Sequence, residues 1–309
     1  MNQVLKCIIT ALILSIPYYS IFAQYKHDSV KIEHGYLHYY TKGKGDAIVF
    51  LQGGPGFSSY YMRGIADSLN NNMCILIDYE GTGRSQKRKS DSSWVSPEKI
   101  VSDIEQVRKK LAINKWTIIG HSYGTHFGLL YASKYPAMVR KIVLLAFIGT
   151  NNQFQRYSWD NISIRLSETD MEQLQIIEKD TLLSGPDREF RTQSIILKAY
   201  FFDKSKVVPF LKSVPNDENE FYYNDSFNYA YWLNKNYWKW DISNDALKLE
   251  IPIRIIQGRQ DFVNDGNQSI FDSKAKNSKL YYIEQSGHFS WLERPSVFFE
   301  ILRKELKEM

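Results

Sequence analysis

Ser122 stands in Gly120-His121-Ser122-Tyr123-Gly124, with an apolar run, Trp116 to Ile119, before it and a helical pattern, Tyr123 to Tyr135, after it. This is G-x-S-x-G between a buried strand and a helix, the context in which such a turn holds a serine hydroxyl out as a nucleophile. The flanking glycines allow a sharp turn. The helix behind it brings the Tyr123 N–H and the positive end of its dipole to the same space. A serine hydroxyl attacks a carbonyl only when a base takes its proton, and the base needs an acid to orient it. Both follow in the required order: Asp261 lies just beyond the run "IRIIQG", and His288 lies in the turn "SGHFS". Each falls at the carboxyl end of a predicted strand, where α/β sheets bind their ligands. Asp265 is the alternative acid, further into its loop. An ordinary turn with a capping serine is the alternative for the motif itself.

The stretch "FLQGGPGFSSYY", Phe50 to Tyr61, is a glycine-rich loop after a buried run. Such a loop can aim backbone N–H groups at a developing oxyanion, and a missing donor costs about 3 kcal/mol of transition-state stabilisation. Gly54 is the candidate donor from this loop, partnered by the Tyr123 N–H; a tight turn stiffened by Pro55 is the alternative. His27, His34 and His38 precede the serine and read as surface or hairpin residues. His121 and His126 flank the turn and are out of order for a base. With no H-E-x-x-H and only scattered histidines, no metal is expected.

Positioning these groups requires a sheet. Val30 to His34 and Tyr36 to Thr41 alternate about Gly35 as a hairpin would. Ala47 to Leu51, Met73 to Asp78, Trp116 to Gly120 and Lys141 to Ala146 are short apolar runs without alternation, as expected of parallel strands buried on both faces. Helical patterns fall between them at Tyr60 to Asn70, Pro97 to Leu111 and Tyr123 to Tyr135, with Ser96-Pro97-Glu98 as a helix start. The fold class is therefore α/β. Alternation stops near Gly149 and resumes near Ile251. Residues 150–245 are polar, aromatic and helical in pattern, and too long for a structureless loop, so they predict a helical cap. The core is then 24–149 and 246–309, with further strands at Ile251 to Gly258 and Lys279 to Gln285 and a closing helix in "RPSVFFEILRKELK".

The chain has 309 residues, 43% of them hydrophobic, enough for one large α/β domain or two small ones. The net charge of +5 is spread along the chain. Lys87-Arg88-Lys89 reads as a solvated loop, and no basic helix with interleaved aromatics supports nucleic-acid binding. Lys6, the apolar run Cys7 to Ile16 and the small residue Ala23 describe a signal peptide, residues 1–23. The run is short for a membrane span of about 20 residues, so membrane contact is expected only through this segment. An uncleaved anchor is the alternative, because Ile21 fits the cleavage rule poorly. The mature chain keeps Cys74 alone, so its stability rests on its core. The expected location is the periplasm or the exterior of a bacterium.

Together, "QGGPG", "DYEGTGRS", "GHSYGT", "GRQD" and "GHFSWLERP" resemble the α/β-hydrolase fold and, within it, the prolyl aminopeptidase (proline iminopeptidase) group. The resemblance spans Leu37 to Leu306 apart from the cap. It implies a mostly parallel eight-stranded sheet flanked by helices, Ser122 as nucleophile, His288 as general base, Asp261 as its orienter, and no cofactor. Gln52 stands where the group usually has histidine, and Asp78 is expected to be architectural. Aminopeptidases of the group hold a free amino terminus with carboxylates, some from the cap. The late cap here, "FNYAYWLNKNYWKW", has no Glu or Asp. Glu168, Glu172, Glu218 and Glu220 are candidate anchors elsewhere, each with a surface role as its default. The expected substrate is a short peptide or a small molecule. The aromatic cap equally suits a carboxylesterase or a lactonase, macrocyclic lactones included. A non-catalytic binding relative is disfavoured because the whole triad is present.

Overall fold

The computed structural model describes residues 25–33, 35–54, 56–85, 96–214, 239–264 and 266–307. The signal segment, His34, Pro55, Lys87-Arg88-Lys89, Glu218, Glu220, most of the late-cap stretch and Asp265 lie outside the described residues.

The strands are β1 (Lys26–Ile32), β2 (Gly35–Lys42), β3 (Asp46–Leu51), β4 (Asn72–Ile77), β5 (Trp116–His121), β6 (Val139–Leu145), β7 (Ile253–Gly258) and β8 (Ser278–Ile283). They form one 8-stranded sheet in the order β1-β2-β4-β3-β5-β6-β7-β8. β2 runs antiparallel to both neighbours, and the pairs from β4 to β8 are parallel. Successive apolar residues of the central strands go to opposite faces. Val49, Leu51, Ile118, Leu144 and Ile255 join one core, while Ile48, Phe50, Ile119, Leu145 and Ile256 join the other. With both faces buried, apolar residues are needed on both, which is why these runs lack alternation.

Helices α1 (Pro97–Lys110) and α2 (Tyr123–Lys134) cover the first face, through Val101, Ile104, Val107, Phe127 and Tyr131. At the start of α1, the Ser96 side chain accepts the Lys99 N–H at 3.1 Å and Pro97 takes the first helical position. Both are N-terminal devices visible in the sequence. The helix expected over Tyr60 to Asn70 is shorter: a 3₁₀ turn, Ser59–Met62, and a single α turn, Arg63–Ala66. Its apolar residues Tyr61, Met62, Ile65 and Leu69 are buried all the same.

After β6 the chain forms α3 (Gln153–Ser163), α4 (Glu168–Lys179), α5 (Gly185–Ile196) and α6 (Val207–Ser213), and it re-enters the sheet through α7 (Ser243–Leu247). The departing and returning strands of chain are joined. The Ile242 N–H donates to Thr150 O at 2.8 Å, Asn152 N–H to Trp240 O at 3.2 Å, and the Thr150 and Ser243 hydroxyls meet at 2.7 Å. α8 (Asn267–Lys274) follows β7, and α9 (Pro295–Lys307) closes the second face with Phe298 and Leu302. Among the described residues no helix is long and apolar enough to cross a membrane. Strand order reverses between β3 and β5, since β3 has β4 on one side and β5 on the other. Ligand crevices of open α/β sheets form at such a switch point.

Candidate active site

The residues named for chemistry leave the sheet at the carboxyl ends of β3, β5, β7 and β8. Ser122 directly follows β5 and caps α2 with φ 54° and ψ −121°. A non-glycine residue here is strained by about 1–3 kcal/mol. The strain sits on the serine, not on its glycines, neither of which has positive φ. The glycines give clearance instead. A Cβ on Gly124 would strike the Leu51 carbonyl of β3, and one on Gly120 would strike the Gly124 carbonyl. The elbow is pinned by the Ser122 N–H on Leu145 O (2.9 Å) and by the Thr125 N–H and hydroxyl on Ser122 O (2.9 and 2.5 Å).

His288 and Asp261 meet across the loops after β8 and β7. His288 Nδ1 lies 2.9 Å from each Asp261 carboxylate oxygen, and both side chains are buried. Asp261 also accepts the Val263 N–H at 3.2 Å and the Gln257 Nε2 at 3.1 Å. The Gln257 Oε1 in turn accepts the Phe147 N–H at 2.8 Å, which fixes the orientation of the amide. Gln257 was not singled out from the sequence. The signal was present, as a polar residue at the buried end of "IPIRIIQG". With Nδ1 donating to Asp261, Nε2 is the His288 nitrogen left to accept a proton.

The glycine-rich loop lies against the elbow: a Cβ on Gly53 would sit 2.7 Å from Ser122 Cβ and 3.3 Å from its Oγ. The Gly53 N–H donates to the Tyr61 hydroxyl at 2.7 Å. Gly54, with φ 119°, therefore supplies the next N–H in the loop, and Tyr123 opens α2. Gln52, in the position usual for histidine, donates to the Thr82 hydroxyl at 3.4 Å. Asp78 accepts the Ser59 N–H and hydroxyl at 2.9 and 2.8 Å and the Arg84 N–H at 3.2 Å. It thus joins the loops after β3 and β4. Burial pushes its carboxyl above the ordinary aspartate range.

His27 and His38 pair with each other on the hairpin at 2.8 Å. His126 is buried in α2 against Trp240, with ring centroids 4.0 Å apart, and burial lowers it to about 3. His121 belongs to the site after all. Its ring lies 4.7 Å from that of His288, centroid to centroid, although its place before the serine had excluded it as a base.

The helical segment between β6 and β7 touches the loops that carry Asp261 and His288. The His288 N–H donates to Tyr200 O at 2.7 Å, and the Tyr200 ring meets the rings of His288 and Phe262. Arg165 donates to Gln260 O and Asp261 O at 3.2 and 3.4 Å, and Asn161 to Phe262 O at 3.0 Å. Glu293 accepts the Gly287 N–H at 2.6 Å and the Asp203 N–H at 2.9 Å, so one buried carboxylate joins the histidine loop to this segment. Glu293→Gln keeps one acceptor and turns an NH₂ on the other donor. It is expected to cost about 1–3 kcal/mol, read as a lower midpoint of thermal unfolding; an unchanged midpoint would contradict this role. Glu168 and Glu172 are both exposed on α4.

A family model described as alpha/beta hydrolase fold matches residues 46–295. The chain belongs to the α/β-hydrolase fold family and is a hydrolytic enzyme. The proline iminopeptidase of Saccharolobus solfataricus is 24% identical to it, over 93% of this chain and 96% of the relative. The solved structure of a proline iminopeptidase-related protein from Thermus thermophilus matches with a TM-score of 0.70 at 18% identity, covering 92% of this chain and 98% of that one. An alpha/beta fold family hydrolase from Bacillus anthracis str. Sterne matches with a TM-score of 0.73 at 20% identity, covering 91% and 99%. The fold and the likeness to prolyl aminopeptidases read from the motifs are both borne out.

Proposed function

We propose that this enzyme is an exported serine hydrolase that cleaves an ester or amide through an acyl-enzyme. The observation that carries the reading is the 2.9 Å contact of His288 Nδ1 with Asp261, set beside a serine held at positive φ at a strand-to-helix elbow. His288 Nε2 takes the Ser122 proton as Oγ bonds to the substrate carbonyl carbon. The negative charge that develops on the carbonyl oxygen is met by the Gly54 and Tyr123 N–H groups. The intermediate collapses as His288 returns the proton to the leaving alcohol or amine. Water, deprotonated by the same nitrogen, then attacks the acyl-enzyme, and Ser122 recovers its proton as the acid departs. These steps use no metal or cofactor.

For the substrate, the relatives named proline iminopeptidase support cleavage of an amino-terminal residue, proline above all, from a short peptide. A second reading, a carboxylesterase or lactonase for bulky apolar acyl groups, is favoured by the stretch 227–240, which is aromatic and carries no Glu or Asp. The exposure of Glu168 and Glu172 is in keeping with it. Residues 150–245 serve as the cap in either case, and residues 1–23 as the export signal that directs the enzyme to the periplasm or beyond.

Side-by-side turnover of a proline arylamide and an aryl ester separates the readings. Hydrolysis of the arylamide is the expected result. Hydrolysis of the ester alone would move the enzyme to the second reading, and inertness toward both would contradict the proposal.

A further inference from the structure

The nucleophile, the base and the oxyanion loop sit on different strands, and a hydrogen-bonded chain links them behind the site. The Gly53 N–H donates to Tyr61 Oη at 2.7 Å, Tyr61 Oη lies 2.7 Å from His121 Nδ1, and His121 Nε2 lies 3.0 Å from the backbone carbonyl of His288. The chemistry fixes every direction. A carbonyl only accepts, so His121 carries its proton on Nε2 and donates to His288 O. Nδ1 is then bare, so the Tyr61 hydroxyl donates to it, while its oxygen accepts from Gly53. Both side chains are buried. Burial, and after it the neighbouring His288, pushes the His121 ring well below the ordinary histidine range, in keeping with a neutral imidazole. The Tyr61 ring packs against Phe57, Phe210, Phe289 and Trp291, which hold its hydroxyl in this place.

We propose that Tyr61 and His121 are positioning residues, a relay that holds the oxyanion loop at a set distance from the His288 backbone across the Ser122 elbow. The proposal rests on the serine-hydrolase reading above. The relay touches no reacting atom. It holds the Gly53 N–H, one peptide unit before the Gly54 N–H, so it anchors the loop from which the donor is offered to the oxyanion. It also holds the main chain from which the base projects. An interaction that aims a donor at charge present only in the transition state changes kcat and leaves KM alone.

Tyr61→Phe removes one oxygen and strands two buried partners, the Gly53 N–H and His121 Nδ1. Removing an oxyanion donor outright costs about 10²–10³ in kcat; mis-aiming one is expected to cost about tenfold to a hundredfold, with KM within about twofold. His121→Leu is expected to do the same. Because the two act as one unit, the double variant is expected to fall no further than either single one. The test measures kcat and KM for all three variants, with competent sites counted by a fluorophosphonate probe so that misfolded protein does not enter the rates.

A folded Tyr61→Phe enzyme with wild-type kcat would overturn the relay, as would losses that multiply in the double variant. Wild-type enzyme that takes no label at Ser122 would remove the serine-hydrolase reading on which the relay rests, whereas labelled wild type with an unaffected Tyr61→Phe removes the relay alone. Should Tyr61→Phe not fold, nitrogen-15 NMR of the wild-type His121 ring decides: a proton on Nε2 supports the relay and a proton on Nδ1 overturns it.

Discussion

Ser122→Ala is expected to lower kcat by about 10⁴–10⁶-fold while the protein stays folded, because losing the nucleophile of a triad removes nearly all that the triad contributes. Steady-state turnover on whichever of the two substrates proves active measures it. A residual rate within tenfold of wild type would place the nucleophile elsewhere. The same position separates stability from activity. Alanine inherits the positive φ of Ser122, whereas glycine adopts it freely. Ser122→Gly is therefore expected to be as inactive as Ser122→Ala and to melt at a higher temperature. The strain is a cost that the fold carries to present a hydroxyl.

Asp261→Asn is expected to lower kcat by about 10³–10⁴-fold, the loss known for removing a triad carboxylate's charge without changing its shape. Here the reason is specific. Asp261 accepts from His288 Nδ1, the Val263 N–H and Gln257 Nε2. An amide has one oxygen to offer to these three donors. If its NH₂ turns to His288, the ring must move its proton to Nε2, and it then cannot take the proton of Ser122. If its NH₂ turns to Gln257, two donors face each other in a buried site. The Gln257 amide cannot flip to relieve this, because its oxygen holds the Phe147 N–H. Turnover by a folded Asp261→Asn enzyme at more than a tenth of the wild-type rate would show that Asp261 does not orient the base.

The parts of the site that could be read from the chain are those whose chemistry is local. Ser122, Asp261 and His288 each end a short apolar run, and the order of the three along the chain follows from how this sheet is wound. The doubly buried strands were legible for the same reason, since a run such as "AIVFL" has no polar face. Contacts that close through space were not legible. Tyr61 looks like one aromatic among many until its hydroxyl is found between Gly53 and His121. Nothing in the sequence marks Arg165 or Glu293, yet one donates to the Asp261 carbonyl and the other joins Gly287 to Asp203. His121 was set aside on chain order, which governs the base and says nothing of what supports it. The glycines of the elbow were identified correctly and explained incompletely: Gly124 is there for the approach of Leu51, and the strained backbone belongs to the serine.

The most direct test of the central claim is covalent. The full-length enzyme would be treated with a fluorophosphonate and digested, and the adduct located by mass spectrometry. The expected result is a single adduct on the peptide carrying Ser122, absent from Ser122→Ala. An adduct on a different serine, or undiminished labelling of Ser122→Ala, would contradict the assignment of Ser122 as the nucleophile of this hydrolase.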